Sequence, residues 1–298
     1  MVRLIELMSK TNINQTGKKV NINKIGKGNS ESSMQSTPMD ARFRALHHQY
    51  QALLLANVWD AGSARLIEQC GASAIATTSA GVAWSLGYQD GNQLPLDLHV
   101  EAIRRIARVI HVPLSVDVEG CYGKTGAYVA ARLIDAGAVG LNIEDGTEAP
   151  EILCKKIAEA RDMAQRMGVD LYINARTDVY ARALVAPDQL RAEVLARAHL
   201  YREAGADGLF VLGLTDQDDI RAIAQSSGLL LNVVAYPNLP ALETLSVLGV
   251  RRLSAGSLMP QTNWQITQRL ASNFLKDGQS APLLDGAAPY AEVNASYV

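Results

Sequence analysis

Residues 114–145 carry the run Leu114-Ser115-Val116-Asp117-Val118-Glu119-Gly120, then the stretch Thr125 to Ala136, then Gly137-Ala138-Val139-Gly140-Leu141-Asn142-Ile143-Glu144-Asp145. Two short apolar runs, Leu114–Val118 and Val139–Ile143, enclose a segment of helical period that stops at Ala136-Gly137. A strand buried on both faces, a helix closed by a glycine able to adopt the left-handed cap, and a second such strand make one βα repeat of a parallel sheet.

The repeat continues on both sides. Further strand candidates are Leu53–Val58, Ser73–Thr77, Leu171–Ala175, Gly208–Leu212, Leu229–Val233 and Arg251–Ser254. Helices are expected near Ala61–Cys70, Pro95–Ile110, Ile152–Met167, Pro187–Ala204, Asp216–Gln225, Pro240–Leu248 and Pro260–Leu275, with glycine breakers at Ala204-Gly205 and Leu248-Gly249. Eight such units suit a closed barrel, whereas an open doubly wound sheet more often stops at about five or six strands. The fold expected is therefore α/β, a (β/α)8 TIM barrel over residues 41–275.

Residues 1–40 are rich in Asn, Lys, Ser, Gly and Gln, with too little apolar surface to offset ordering entropy. They are read as a disordered extension, with Met34 or Met39 as an alternative start. Residues 276–298 form a tail without a readable pattern.

Composition excludes some classes of function. The formal net charge of -2 provides no basic field for nucleic acid. Cys70, Cys121 and Cys154 are odd in number and form no CxxC pair, which argues against a disulfide framework and for a reducing, cytoplasmic setting. No apolar run approaches the roughly 20 residues of a membrane span. A small-molecule partner is expected, and neither nucleic acid nor membrane.

The C-terminal ends of barrel strands form the mouth where chemistry is done. Here they carry Trp59-Asp60, Thr77-Thr78-Ser79, Asp117 and Glu119, Asn142 with Glu144 and Asp145, Asn174 with Arg176 and Asp178, and Asn232. Asp117 and Glu119 are two apart and share a side of the strand, and Glu144 ends the neighbouring one. Converging carboxylates repel and raise one another's pKa unless a cation neutralises them. Oxygen ligands without His or thiolate suit Mg2+, with Mn2+ as the alternative. The bland alternative is that these acids cap helices or form surface ion pairs.

Arg176 brings a permanent cation whose fork can hold a carboxylate, or can simply balance Asp178 or Glu144. Thr78-Ser79-Ala80 set hydroxyls and backbone N–H groups where an anion could approach. Gly120-Cys121-Tyr122-Gly123 permits an unusual backbone path, with Cys121 an ordinary small residue. None of the histidines at positions 47, 48, 99, 111 and 199 falls at a strand end, and most read as helical surface groups.

These motifs, taken in order, resemble the isocitrate lyase and phosphoenolpyruvate mutase superfamily. The likeness runs through Asn57-Val58-Trp59-Asp60-Ala61-Gly62-Ser63-Ala64, Leu86-Gly87-Tyr88-Gln89-Asp90, Asp117 to Gly123, Leu141 to Asp145, Asn174 to Asp178 and Gly249 to Ser254. The resemblance implies Mg2+ bound, partly through water, at Asp117, Glu119 and Glu144. It also implies a substrate carboxylate or phosphonate received by Thr78-Ser79-Ala80, an enolate stabilised by Arg176, and Asp90 beside the reacting group. It further implies a homodimer or homotetramer that exchanges its last barrel helix.

The lid differs from the better-known members. Gly146-Thr147-Glu148-Ala149-Pro150-Glu151 carries neither their Lys-Lys-Cys-Gly-His motif nor the phosphonate enzymes' lid, as in a short-lid branch. Glu119 stands where many members have Asp.

The expected activity is a Mg2+-dependent lyase that cleaves or decarboxylates a small 2-oxo or 2-hydroxy acid through an enolate. Its catalytic residues would be Arg176, Asp90 and Asp117, and its substrate ligands Trp59, Asp60, Thr78, Ser79, Ala80, Asn142, Arg176 and Asn232. Water or Tyr122 would supply the quenching proton. The alternatives are a carbon–phosphorus bond enzyme and a protein that binds a 2-oxo acid without turning it over.

Overall fold

The computed structural model describes residues 37–297. The elements are α1 (Met39–Leu46), β1 (Leu53–Leu55), α2 (Ala61–Gln69), β2 (Ile75–Ala76), α3 (Ser79–Ser85), α4 (Leu96–Val109), β3 (Leu114–Asp117), α5 (Gly126–Asp135), β4 (Gly140–Glu144) and α6 (Pro150–Met167). They continue with β5 (Tyr172–Thr177), α7 (Leu190–Glu203), β6 (Gly208–Val211), α8 (Gln217–Ser226), β7 (Leu230–Val234), α9 (Leu242–Leu248), β8 (Val250–Ser254), α10 (Leu258–Asp277), α11 (Ala281–Leu284) and α12 (Tyr290–Ala295).

The strands pair in parallel in the order β1-β8-β7-β6-β5-β4-β3-β2. Val58 bridges the remaining seam: its N–H donates to Ala76 O at 2.9 Å and its carbonyl accepts from Thr78 N at 3.0 Å. The result is a nearly closed (β/α)8 barrel. All eight expected strands are present. The first two are shorter than Leu53–Val58 and Ser73–Thr77, because the chain leaves the β8 ladder after Leu55 and touches β2 only through Val58.

Side chains alternate across each strand, so register decides what meets inside the barrel. Asn142 lies opposite Asn174, and Glu144 opposite Arg176. Arg176 in turn lies opposite Phe210, and Asn232 opposite Arg252. The interior below the mouth is therefore polar, in place of the branched aliphatic layers that usually fill such barrels.

The opposite end is plugged by α1, which the sequence pattern did not reveal. Met39 and Asp40, assigned above to the extension, form its first turn; residues 1–36 of that extension lie outside the described residues. A helix this short is stabilised by tertiary packing rather than by propensity. Phe43 packs with Leu53, Leu55, Ala74, Ala76 and Tyr172. A Cβ on Gly140 would stand 2.6 Å from the Phe43 ring, so glycine admits the plug. Arg44 anchors it to Asp170 at 2.6 Å and Asp207 at 2.8 Å.

The histidines divide. His48, His111 and His199 are on the surface, whereas His47 and His99 are fully buried, contrary to a surface reading of these two. His47 stacks on Tyr172 with ring centroids 4.0 Å apart, and His99 packs edge-on to Tyr122 at 5.4 Å. Among the described residues no helix is long and apolar enough to cross a membrane.

Candidate active site

The mouth contains a cavity of about 370 Å3. Asp117, Asn142, Arg176 and Ser254 line it from β3, β4, β5 and β8, Thr78-Ser79-Ala80 from the end of β2, and Asp90 from the loop between α3 and α4. Asn57 also lines it and ties the rim together, donating Nδ2 to Thr77 O and accepting from Gly256 N, each at 2.8 Å.

Asp117 is fixed from two sides. Its N–H donates to Thr77 Oγ1 at 3.0 Å, and its Oδ2 accepts from Ser79 Oγ at 3.1 Å. The hydroxyl of Ser79, expected to meet substrate, is thus engaged with the acid. Burial raises the Asp117 carboxyl above its ordinary range, with Arg176 opposing.

Glu119 follows on a strained path. It has φ 48°, and Cys121, Tyr122 and Gly123 have φ 71°, 53° and 70°. Asn92, itself at φ 61°, holds this turn: its backbone N–H donates to Glu119 Oε2, and its Oδ1 accepts from Gly120 N at 3.2 Å and Tyr122 N at 3.0 Å. Glu119 Oε1 is buried without a partner among the described residues. Burial raises Glu119 to about 7 against the opposing Asn92 N–H, and Asp90 and Asp117 push in the same direction as burial.

Glu144 Oε2 stands 2.7 Å from Arg176 Nη1. Burial pushes Glu144 up while Arg176 opposes. The other edge of Arg176 grips Asp178, Nε at 2.8 Å from Oδ1 and Nη2 at 3.1 Å from Oδ2. Both ion pairs weighed in the sequence therefore exist, in a residue that also faces the cavity.

Asp145 is structural. It is buried and accepts from Arg197 Nη1 at 2.8 Å, Tyr201 OH at 2.6 Å and Asp178 N at 3.0 Å.

Six expected residues do not line the cavity: the two glutamates, Glu119 and Glu144, and also Trp59, Asp60, Asn232 and Tyr122. Trp59 stands between Trp84, Pro260 and Trp264, against α10. Asp60 caps α2, accepting from Ser63 N at 2.7 Å. Asn232 lies one layer deeper, its Nδ2 bonded to Val233 O at 2.7 Å and Arg252 O at 3.1 Å. Tyr122 is packed behind Glu119 against His99, where burial first, then Glu119, raises its phenol well above the ordinary value. Asn92 and Ser254 were missed. Asp90-Gly91-Asn92 was legible as a turn, but not as a clamp on a turn 28 residues downstream, between Asn92 and Gly120.

Among the described residues no three His, Cys, Asp or Glu side chains converge to ligate one ion directly. Glu119 is turned toward Asn92 and Glu144 toward Arg176. A hard cation held by Asp117, with the two glutamates reaching it through water, still fits. The donors are all oxygens, one of them is orphaned, and Mg2+ keeps several waters.

A (β/α)8 barrel with buried acids and an arginine gathered at its mouth has the arrangement of an enzyme of this fold, whose chemistry is done at the strand ends. The family model described as phosphoenolpyruvate phosphomutase matches residues 43–275, and the chain belongs to that family, within the isocitrate lyase/phosphoenolpyruvate mutase superfamily. It is similar to oxaloacetate decarboxylase of Pseudomonas entomophila, 32% identical over 207 residues that span 66% of this chain and 71% of the relative. It is also similar to 2-methylisocitrate lyase of Escherichia coli, 31% identical over 217 residues, 68% of this chain and 72% of the relative. A crystal structure of a candidate phosphonomutase from Burkholderia cenocepacia superposes with a TM-score of 0.73 at 42% identity, covering 78% of this chain and 98% of the other.

Proposed function

We propose that this chain is a Mg2+-dependent lyase that cleaves or decarboxylates a small 2-oxo or 2-hydroxy carboxylate through an enolate. The observation that carries this reading is the placement of buried Asp117 and partly buried Arg176 in one cavity, beside the Thr78-Ser79-Ala80 segment. Similarity to an oxaloacetate decarboxylase and a 2-methylisocitrate lyase supports the same class.

The acids fit a divalent ion held by Asp117, with Glu119 and Glu144 outside it through water. Such an ion supplies Lewis-acid polarisation of substrate oxygens. Arg176 presents a fixed cation to the charge that develops as the bond breaks, and Glu144 and Asp178 hold its plane still. Thr78 and Ala80 close the second wall.

A second reading, carbon–phosphorus bond chemistry, is favoured by Asp90 in the cavity wall and by similarity to the candidate phosphonomutase. The test is a Mg2+-supplemented screen of oxaloacetate, methylisocitrate, isocitrate and phosphonopyruvate, read by mass spectrometry and phosphorus NMR. Product from a carboxylate that vanishes with chelator supports the lyase, and inorganic phosphate from phosphonopyruvate supports the alternative. Absence of turnover throughout would sink both.

We further propose a homodimer or homotetramer. Along α10 only Pro260 is buried, while Trp264, Ile266, Phe274 and Leu275 are exposed. Light scattering that gives a monomer mass would refute it.

A further inference from the structure

Asn142 sits on β4 in the cavity wall, and its amide has only one workable orientation. Its Oδ1 accepts from Asn174 Nδ2 at 2.9 Å and from Arg252 Nη2 at 3.1 Å. A guanidinium has no acceptor, so turning the amide over would set N–H against N–H at Arg252. The same sense is imposed from the far end of the network. Asn232 Nδ2 is fixed by the carbonyls of Val233 and Arg252, at 2.7 and 3.1 Å, groups that only accept. Its Oδ1 must then receive Asn174 Nδ2, at 3.0 Å, and that same Nδ2 reaches Asn142. Asn142 Nδ2 is left over, with no partner among the described residues, in a side chain that lines the cavity.

Arg252 is an expensive way to orient an amide. It is buried inside the barrel, none of the ion pairs among the described residues includes it, and its Nη1 has no partner. An unpaired buried charge costs several kcal/mol, and an apolar side chain of similar volume is commonly tolerated as well or better. What the apolar residue could not do is hold Asn142 Oδ1 away from the mouth.

We propose that Asn142 Nδ2 donates to an acceptor oxygen of the substrate, a carboxylate or 2-oxo oxygen, and that Arg252 is the positioning residue that keeps this donor turned outward. A group offering only donors at that point is rejected, because it would meet an N–H it cannot satisfy. The inference deepens the lyase reading and rests on it, since it needs a small carboxylate in the cavity.

Oxalate, a planar and unreactive counterpart of the 2-oxo acid enolate, is the probe, titrated calorimetrically into the full chain with Mg2+. Asn142→Asp replaces the donor with an acceptor of nearly the same shape and gives Arg252 a carboxylate. Its Tm should therefore hold or rise while oxalate affinity falls about 100-fold, the lost hydrogen bond acting together with repulsion between the new carboxylate and the oxalate dianion. Asn142→Ala should lose about tenfold. Arg252→Met frees the amide to turn, so affinity falls severalfold with kcat less affected than KM. A merely structural Asn142 would make affinity follow Tm instead. Oxalate binding to both Asn142 variants within twofold of wild type would overturn the donor assignment alone. Wild-type protein that ignores oxalate would overturn the parent reading and this inference with it.

Discussion

Arg176 Nη1 lies 2.7 Å from Glu144 Oε2, and the pair sits side by side in the β4–β5 register. The contact joins the expected cation to an expected metal-site acid, while the Asp178 fork fixes the opposite edge of the guanidinium. Lysine offers a point charge and no fork, so it can serve only one of these acids at a time. Arg176→Lys and Arg176→Ala should both lower kcat by about 10²–10³, the cost typical of losing one preorganised donor to a developing anion. Steady-state kinetics on the substrate found by the Mg2+ screen checks this. A Lys variant within threefold of wild type would show that charge alone suffices.

Asn92 supports Glu119 through a backbone bond and shapes its turn through Oδ1. Non-glycine residues at positive φ cost about 1–3 kcal/mol each, so the turn with Glu119, Cys121 and Tyr122 persists only while its neighbours enforce it. Asn92→Gly keeps the left-handed backbone and removes the side-chain acceptor. Mn2+ affinity, followed by electron paramagnetic resonance, should fall about tenfold, the value of one to two hydrogen bonds. Hydrogen exchange should quicken at residues 119–123.

Glu119 adds a pH dependence. Its carboxyl is raised to about 7, chiefly by burial, so below that pH an incoming ion must displace a proton. Divalent affinity should climb as pH rises from 5.5 through about 8, Glu119 accounting for the lower part and Glu144, raised to about 8, for the upper, as read by Mn2+ titration. Glu119→Gln, which carries no titrating group, should flatten the lower part of the profile.

The barrel was legible in the sequence because each βα unit repeats a local signal: a short apolar run, a helical period, a glycine cap. The acids and Arg176 were legible for the same reason, since strand ends fall at the mouth. Depth along the barrel axis was not. Asn232 and Asn142 both read as polar residues of strands, yet Asn142 lines the cavity and Asn232 is tied to backbone carbonyls below it. Long-range clamps such as Asn92 on Glu119, and the Phe43 plug admitted by Gly140, depend on pairings that no local pattern encodes.

The two buried histidines make acid stability a test of the packing around the plug and the third strand. Burial lowers His47 to about 3, with Arg252 adding to the effect, and lowers His99 to about 4. Unfolded histidine titrates near 6.5. Between the folded and unfolded values the unfolded chain binds more protons, so stability is fully present above about 6.5 and is lost as pH falls. Each histidine contributes a slope of about 1.4 kcal/mol per pH unit, down to about pH 4 for His99 and further for His47. Glu119 and Glu144, raised to about 7 and about 8, take up protons in the folded chain over the same range and oppose these slopes, so the histidine contribution is read as a difference between wild type and a variant in urea denaturation between pH 7.5 and 4.5. His99→Phe should remove one of the two slopes, because the ring remains an aromatic partner for Tyr122 and carries no proton to take up. A His99→Phe profile that runs parallel to wild type from pH 6.5 to 5 would mean that the His99 ring is hydrated or charged in the folded protein.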